Sequence, residues 1–151
     1  MAPSFLPPDS HIHIIARAVL LQGERIILCR LKGGDYFFLP GGHVEDGEAV
    51  RAALLRELHE EIGPNNYAVG PLIGACENVF PAKDDLIKHE INFVFRVDVP
   101  EGAVIASRED HIELISVPQS DLVNYDLRPA DLKKALIQWL EDGEPFFEES
   151  A

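Results

Sequence analysis

Runs and alternations of apolar residues predict six β-strands along the chain. The strand candidates are rich in Ile, Val, Leu and Phe, and turn-like segments such as Gln-Gly-Glu at 22–24 and Pro-Glu-Gly at 100–102 lie between them. One short candidate ends at Pro40, which cannot donate a hydrogen bond to a neighbouring strand. The Gly-rich, acidic segment that follows it is expected to be a loop. The predicted strands cover residues 11–22, 24–32, 36–40, 67–79, 90–99 and 112–117.

A four-residue spacing of apolar side chains predicts two helices. The first covers residues 49–62, and the Gly-Pro pair directly after it is a strong stop signal. The second covers residues 129–141, because Pro129 suits the first helical position and Gly143 lies just past the end. We interpret the apolar stripe of each helix as the face that packs on the core. These stripes are Val50, Leu54, Leu58 and Ile62 in the first helix, and Leu132, Leu136 and Leu140 in the second.

The order of these elements predicts a single α+β domain. Strands, a helix, more strands and a closing helix favour a layered α/β/α arrangement over a regular βαβ repeat. We expect this domain to span residues 11–143. Residues 1–10, which include three prolines, are expected to form an extended arm. Residues 144–151 are expected to form a loose acidic tail, although Phe146 and Phe147 could dock on the body of the domain.

The charge balance excludes several classes of partner. The 151 residues carry a formal net charge of −13, with 26 acidic against 13 basic side chains, whereas proteins that track nucleic acid backbones show a basic face. No nucleic acid partner is therefore expected. The longest apolar run is broken by Arg17 and is too short to span a membrane, and the N-terminus lacks a secretory pattern. Cys29 and Cys76 match no zinc or redox spacing and are expected to be buried thiols, which favours a cytoplasmic location.

A concentration of carboxylates in the first helix is the strongest chemical signal. Glu57, Glu60 and Glu61 fall within an arc of about 100° on a helical wheel, beside the apolar stripe. Oxygen ligands of this kind suit Mg²⁺ or Mn²⁺, which in turn bind substrate phosphates. The alternative is a solvated acidic helix face. The metal interpretation is favoured by the Gly-rich segment upstream, whose backbone can approach a ligand closely, and by Arg56, which can orient Glu60 four residues further on.

The same segment resembles the Nudix box. That motif reads G, five of any residue, E, seven of any, R-E, an aliphatic, any, E-E, any, G and an aliphatic. Gly42, Glu48 and the run Arg-Glu-Leu-His-Glu-Glu-Ile-Gly at 56–63 stand at this spacing, so that eight of the nine specified positions match. The ninth is Pro64, where the family usually has Ile, Leu or Val, which implies the loss of one packing contact after the helix. The order of elements around the box, residues 42–64, is also similar to the family's α/β/α sandwich with a mixed sheet.

The resemblance implies a site for metal-assisted hydrolysis of a pyrophosphate bond. The metal, Mg²⁺ or Mn²⁺, would neutralise the diphosphate and lower the pKa of bound water. One of the box glutamates would position or deprotonate that water. Arg56 would hold the glutamates in place, with Glu48 as its salt-bridge partner or as an outer-shell metal contact. The implied catalytic residues are Arg56, Glu57 and Glu60, and the implied metal ligands are Glu57, Glu60, Glu61 and a backbone carbonyl at Gly41 or Gly42.

Residues outside the motif complete the candidate site. Many members of the family add a catalytic base or a further metal ligand from a place that varies between subfamilies. Three glutamates compete for that role here, in the order Glu113, Glu90 and Glu109, and for each the alternative is an ordinary surface carboxylate. Candidate substrate contacts are Arg30 and Lys32 for phosphates, Gly41 and His43 in the box loop, and Tyr36, Phe37 or Phe80 for stacking on a base.

The implied function is hydrolysis of a nucleoside diphosphate linked to another group. ADP-ribose or a nucleotide sugar is the leading substrate, followed by nucleoside triphosphates, and a messenger RNA 5′ end ranks lower because the chain lacks a basic surface. The alternative is a non-catalytic Nudix domain that senses nucleotides, although such a domain could lose Arg56 and the box glutamates. An isomerase on this fold would need active-site cysteine chemistry, which Cys29 and Cys76 do not suggest. Dimers are common in the family, so a homodimer is compatible with the resemblance.

Overall fold

The computed structural model describes residues 11–63, 67–82 and 86–150. The predicted extended arm, residues 1–10, and Pro64, the departing position of the box, lie outside these ranges. The elements are, in chain order, β1 (Ile12–Gln22), β2 (Arg25–Leu31), β3 (Gly41–His43), α1 (Val50–Ile62), β4 (Ala68–Pro81), β5 (Ile87–Asp98), β6 (Ile112–Pro118), a 3-10 helix (Gln119–Asn124), α2 (Ala130–Asp142) and β7 (Phe146–Ser150).

The strands form one mixed sheet of seven. Their order across the sheet is β6-β2-β1-β5-β4-β7, and β3 pairs with β1 beside this path. β1 runs antiparallel to β2 but parallel to β5. The mixed α+β fold predicted from the order of elements is therefore confirmed.

Each helix covers one face of the sheet. Successive residues of a strand point to opposite faces, so in β1 Leu20 packs in the core beneath α1, whereas Val19 packs in the core beneath α2. Leu58 of α1 and Leu136 of α2 occupy these two cores and are fully buried. The predicted layers are confirmed, and each helix begins and ends within one residue of its expected bounds.

Strand β3 lies in the segment that composition predicts to be a loop, which corrects that prediction. Gly41 has a φ of +136°, a conformation that favours glycine. A Cβ at this position would overlap the carbonyl oxygen of Ala16 on β1. The neighbouring Gly42 pairs with Ala16 in the antiparallel register. Glycine therefore allows the box loop to pack directly on the central strand of the sheet.

The strand predicted at residues 36–40 is present only as isolated bridges. Phe38 exchanges backbone hydrogen bonds with Cys29, at 2.9 Å in both directions. The Phe37 N–H instead donates to the carbonyl of Asp126, at 2.8 Å. Because consecutive residues bind two different neighbours, no regular ladder extends through this segment.

The C-terminal segment also differs from the expected loose tail. Phe146–Ser150 forms β7, which pairs in parallel with β4 at the edge of the sheet. Phe146 packs against the core beneath α2. Its ring lies over Gly74, where an added Cβ would be 2.5 Å from the ring carbons. The docking that the sequence left open is therefore present for Phe146, whereas the strand itself was not predicted.

Two further expectations concern the cysteines and the membrane. Cys29 and Cys76 are both buried and unpaired with each other, as predicted. No helix within the described ranges is long and apolar enough to cross a membrane. The 3-10 helix between β6 and α2 is an element that the apolar pattern did not predict.

Candidate active site

Arg56 holds several acidic side chains of the box. Its guanidinium makes a two-point contact with Glu48, in which Nε donates to Oε2 (2.8 Å) and Nη2 donates to Oε1 (3.0 Å). Nη1 donates to Oε1 of Glu57 at 3.0 Å and to Oε1 of Glu60 at 3.5 Å. The hydrogen bonds from Arg56 lower the pKa of Glu48 to about 2. The carboxylates of Glu48 and Glu57 are thereby held in defined positions beside α1.

Strand β3 brings the backbone of the box loop against Glu57. A Cβ added to Gly42 would lie 2.5 Å from Cδ of Glu57 and 2.6–2.7 Å from its two carboxylate oxygens. A side chain at this position would therefore displace the Glu57 carboxylate, although the backbone of Gly42 has no unusual φ. Arg56 fixes the same loop from the other side, since its Nη2 donates to the carbonyl of His43 (3.1 Å). The box loop therefore contacts α1 at two places, through Gly42 against Glu57 and through His43 bound to Arg56.

Glu61 turns toward β3, where the N–H of Gly41 donates to its Oε2 at 3.0 Å. Burial raises the pKa of Glu61 to about 7. The neighbouring carboxylates of Glu57 and Glu109 add to this rise, whereas the Gly41 N–H and the nearby cation of Arg17 oppose it. The negative charge of Glu61 is therefore incompletely compensated by the protein.

The donor chemistry of this cluster fits a hard divalent cation. Carboxylates from one helix and carbonyls from a glycine loop offer only oxygen ligands, and the raised pKa of Glu61 indicates that a further cation would be favourable there. Within the described ranges, no group of three or more His, Cys, Asp or Glu side chains is arranged to hold a metal ion. In this arrangement Arg56 contacts Glu57 and Glu60, whereas the Gly41 N–H contacts Glu61, and the joint ligand role of the three glutamates stays a prediction.

Glu113 and Arg30, both candidates from the sequence, bind each other. They lie directly opposite on β6 and β2, and Nη2 and Nε of Arg30 donate to Oε2 of Glu113 at 2.7 and 3.2 Å. The guanidinium of Arg30 also lies 5.3 Å from the centroid of the Phe37 ring. The two charges neutralise each other, so neither can act as a base or bind a phosphate without breaking this pair.

Glu109 is placed near the box although the sequence ranked it third. The loop before β6 docks on the end of α1, where the N–H of Arg108 donates to the carbonyl of Glu61 at 2.7 Å. The charge of Glu109 contributes to the raised pKa of Glu61. Oε2 of Glu109 also lies 3.3 Å from Nε2 of His111. The fold thus brings this carboxylate into electrostatic contact with the box.

A cavity of about 720 Å³ opens beside the box. Arg17 lines it, and the guanidinium donates from Nη1 to the carbonyl of Leu39 (3.0 Å) and from Nε to Oδ1 of Asn92 (3.4 Å). Burial lowers the pKa of Arg17, and the carboxylates of Glu61 and Glu90 oppose this effect. Arg17 therefore marks the place where the box and the cavity meet.

Arg17 was not among the site residues predicted from the sequence. The available signal was a single charge in an otherwise apolar strand, which sequence reasoning used only to exclude a membrane span. The cavity is also lined by residues that the sequence did not assign, such as Phe38 and Asn78, beside the candidates Tyr36, Phe80 and Glu90. The lining residues used below are Arg17, Tyr36, Phe38, Asn78, Phe80 and Glu90.

The remaining candidate substrate contacts lie in different places. Tyr36 lines the cavity, and Cζ of Arg128 lies 4.6 Å from the centroid of its ring. His43 is exposed on β3 and makes an edge contact with His13, with ring centroids 5.1 Å apart. Lys32 is exposed just past the end of β2. Of these three, Tyr36 is the one that the fold places in the cavity.

Comparison with known proteins decides the family. The model of the NUDIX domain matches residues 11–140, which is most of the chain. The chain belongs to the Nudix family. The resemblance carried by the box is therefore confirmed, together with the predicted fold.

Two relatives of this Nudix chain are named as a diphosphatase and a pyrophosphatase. It is 34% identical over 122 residues to a putative 8-oxo-dGTP diphosphatase 2 of Mycobacterium tuberculosis, a match that covers 78% of this chain and 77% of the relative. It is 32% identical over 100 residues to an ADP-ribose pyrophosphatase of Methanocaldococcus jannaschii, which covers 64% of this chain and 56% of the relative. The prediction of a Nudix pyrophosphohydrolase is confirmed at the level of the family.

Solved structures show the same fold at low sequence identity. The MutT protein of Bacillus halodurans superposes with a TM-score of 0.71 at 15% identity. The superposition covers 91% of this chain and 90% of that protein. At this identity the likeness shows a shared architecture, while details of the site depend on the residues described above.

Proposed function

We propose that this Nudix chain hydrolyses the pyrophosphate bond of a nucleoside diphosphate linked to another group, in a reaction that depends on Mg²⁺ or Mn²⁺. The observation that carries the proposal is the network in which Arg56 binds Glu48 at two points and Glu57 at a third. A domain that only binds nucleotides has no need to hold these carboxylates against the glycine loop. The names of the two relatives, an ADP-ribose pyrophosphatase and a putative 8-oxo-dGTP diphosphatase, support the same reaction class.

The roles of the box residues follow from their contacts. When bound, the metal supplies charge neutralisation of the diphosphate and a lower pKa for bound water. Arg56 keeps the Glu57 carboxylate at the loop, and Glu48 fixes the orientation of Arg56. In the metal-free protein burial raises the pKa of Glu61 to about 7, and a bound cation would keep this carboxylate in its charged, ligating form. The residues that would hold the metal are Glu57, Glu60 and Glu61, with a backbone carbonyl at Gly41 or Gly42.

Outside the box we favour Glu109 over Glu113 as the additional carboxylate. Glu113 is neutralised by its ion pair with Arg30 (2.7 Å), whereas Glu109 interacts with Glu61. A carboxylate near Glu61 can hold the attacking water or supply a further oxygen ligand. This choice reverses the order suggested by the sequence.

For the substrate we favour ADP-ribose or a nucleotide sugar, followed by nucleoside triphosphates. The cavity of about 720 Å³ falls in the range of roughly 300–1,000 Å³ that is typical of small-ligand sites. Its aromatic rings, including Tyr36 and Phe38, suit stacking on a base. A substrate whose diphosphate binds at the box would extend past Arg17, so that its nucleoside lies in this cavity.

The proposal is tested by a turnover assay with purified protein and Mg²⁺. The substrates are ADP-ribose, nucleotide sugars, dinucleoside polyphosphates and nucleoside triphosphates, and the products are separated by chromatography. Glu60→Gln removes one carboxylate of the box. The side chain of Glu60 is 56% exposed, so the substitution is expected to preserve folding. Glu141→Gln, an exposed position on α2, is the matched control.

We expect turnover of one substrate class by the wild type and by Glu141→Gln. Loss of one metal-binding carboxylate is expected to lower kcat of Glu60→Gln by at least a factor of about ten. Binding of nucleotides without turnover of any of them would instead favour the non-catalytic sensing domain. Equal activity of Glu60→Gln and the wild type would contradict the assigned site.

A further inference from the structure

Glu90 presents an unpaired carboxylate to the cavity beside the box. It lies on β5 directly opposite Asn78 of β4, and both residues line the cavity. Among the residues that the structure describes, the side chain of Glu90 makes no hydrogen bond or ion pair. A free carboxylate is unfavourable beside the phosphates of a nucleotide, because like charges repel. A nucleotide in this cavity is therefore expected to meet Glu90 with hydrogen-bond donors and not with its phosphates.

The position of Glu90 relative to Arg17 indicates which part of a nucleotide it meets. Arg17 lies opposite Gly41 of β3 in the sheet register, and it also lines the cavity together with Glu90. In the proposed function the diphosphate lies at the box, where a bound metal would neutralise it. A nucleoside that extends from the box into the cavity then meets Glu90 and Asn78, which line it.

We propose that Glu90 contacts the base of the substrate and selects guanine; this inference rests on the proposed function and, within its substrate class, favours a guanosine diphosphate sugar or guanosine triphosphate over ADP-ribose. An ionised carboxylate has two acceptor oxygens and no donor. Guanine presents two adjacent donors, N1–H and the 2-amino group, which match these two oxygens. Adenine and cytosine present a donor next to an acceptor, and uracil presents one donor between two carbonyls. The carboxylate therefore fits guanine better than the other common bases.

The surroundings of Glu90 fit the rest of the guanine ring. Asn78 is only 8% exposed, and its Oδ1 lies 3.8 Å from the Cys76 thiol, which leaves its NH₂ group to donate to O6 of guanine. The rings of Tyr36 and Phe38 line the same cavity. Base stacking on such rings is favourable by about 1–3 kcal/mol but tolerates any base. The aromatic rings thus contribute affinity for any base, while the hydrogen bonds of Glu90 distinguish guanine from the other bases.

The test measures binding of nucleoside monophosphates by calorimetry, without metal, so that it does not depend on turnover. The probes are GMP, IMP, which lacks only the 2-amino group, and AMP. Glu90→Gln replaces one acceptor oxygen with a donor at nearly constant size. The matched control is Glu77→Gln on the neighbouring strand β4, where the carboxylate is bound to His89 (2.7 Å) and does not line the cavity.

We expect the wild type and Glu77→Gln to bind GMP about tenfold more tightly than IMP, since IMP leaves one carboxylate oxygen unpaired. Glu90→Gln should lose this preference and gain affinity for AMP, whose edge offers one donor and one acceptor. Equal binding of GMP and IMP by the wild type would overturn the inference, as would a GMP preference that survives in Glu90→Gln.

Turnover data separate this inference from the proposed function. If GMP is preferred but no substrate is hydrolysed, the base contact stands and the proposed hydrolysis fails. If hydrolysis occurs and Glu90→Gln lowers kcat equally for guanine and adenine substrates, with unchanged KM, Glu90 acts in the chemical step and the inference fails. A change confined to KM and to the ratio of guanine to adenine substrates supports it.

Discussion

Gly41 and Gly42 show how single residues position the acidic cluster, and they do so for different physical reasons. Gly41 is required by a positive φ and by close approach to the backbone of Ala16. Gly42 has ordinary backbone geometry, but the carboxylate of Glu57 occupies the space of a side chain. Substitution of Gly41 would therefore disturb the sheet, whereas substitution of Gly42 acts directly on the site.

We predict that Gly42→Ala lowers kcat at least about tenfold while the protein stays folded. The new methyl group would lie 2.5 Å from Cδ of Glu57, so this carboxylate must move away from the loop and from Arg56. Displacement of a catalytic group by about 1 Å can reduce the rate by about a hundredfold. Steady-state kinetics and the melting temperature measure the two effects.

The control for this prediction is Gly102→Ala. Gly102 has no atom within 4 Å of an added Cβ and no positive φ, so the substitution should change neither rate nor stability. Normal activity of Gly42→Ala would show that the position of Glu57 is unimportant. Unfolding of Gly42→Ala would show that the glycine serves the sheet instead.

Strand β7 is the element whose contribution was not evident from the sequence. It extends the sheet beyond β4 and covers part of the core beneath α2 with Phe146. Phe147 points away from the core and is 58% exposed. Two adjacent residues of one type thus have different surroundings, because side chains alternate across a strand.

We predict that Phe146→Ala lowers the free energy of unfolding by about 2–3 kcal/mol, because the change removes buried ring contacts and leaves a cavity over Gly74. Phe147→Ala should change it by less than about 0.5 kcal/mol, as is usual for surface positions. Urea denaturation of the two variants measures the difference. Equal effects of the two substitutions would mean that β7 does not dock on the sheet in solution.

At the scale of the whole molecule, the excess of acidic residues acts on both stability and binding. A net charge of −13 disfavours the compact state through self-repulsion. The box adds carboxylates to this field, and Arg56 offsets only part of their charge. The cytoplasmic location, a homodimer and the absence of a nucleic acid partner stay predictions.

We predict that the melting temperature rises between 10 and 150 mM NaCl, because the screening length falls from about 30 to about 8 Å. At equal ionic strength MgCl₂ should raise it further, since binding to the folded state stabilises that state. Calorimetry or circular dichroism measures both effects, and Glu60→Gln should reduce the additional effect of Mg²⁺. A melting temperature that does not respond to either salt would contradict this account.

The sequence by itself determined the features that depend on neighbouring residues. The helical period of 3.6 residues relates Arg56, Glu57 and Glu60 directly, so spacing was sufficient to place them together and to bound α1 within one residue. The box pattern then indicated the family, which the match over residues 11–140 confirms. Apolar runs located five of the six predicted strands for the same local reason.

Only the tertiary structure decided which distant residues share the site. Arg17, Asn78 and Glu90 meet in one cavity because β1, β5 and β4 are neighbours in the sheet. The register of β2 and β6 pairs Arg30 with Glu113, whereas the loop before β6 places Glu109 near Glu61. Strand order and register depend on packing across the entire chain. Local spacing carries no information about them, which is why the box could be read from the sequence and the cavity could not.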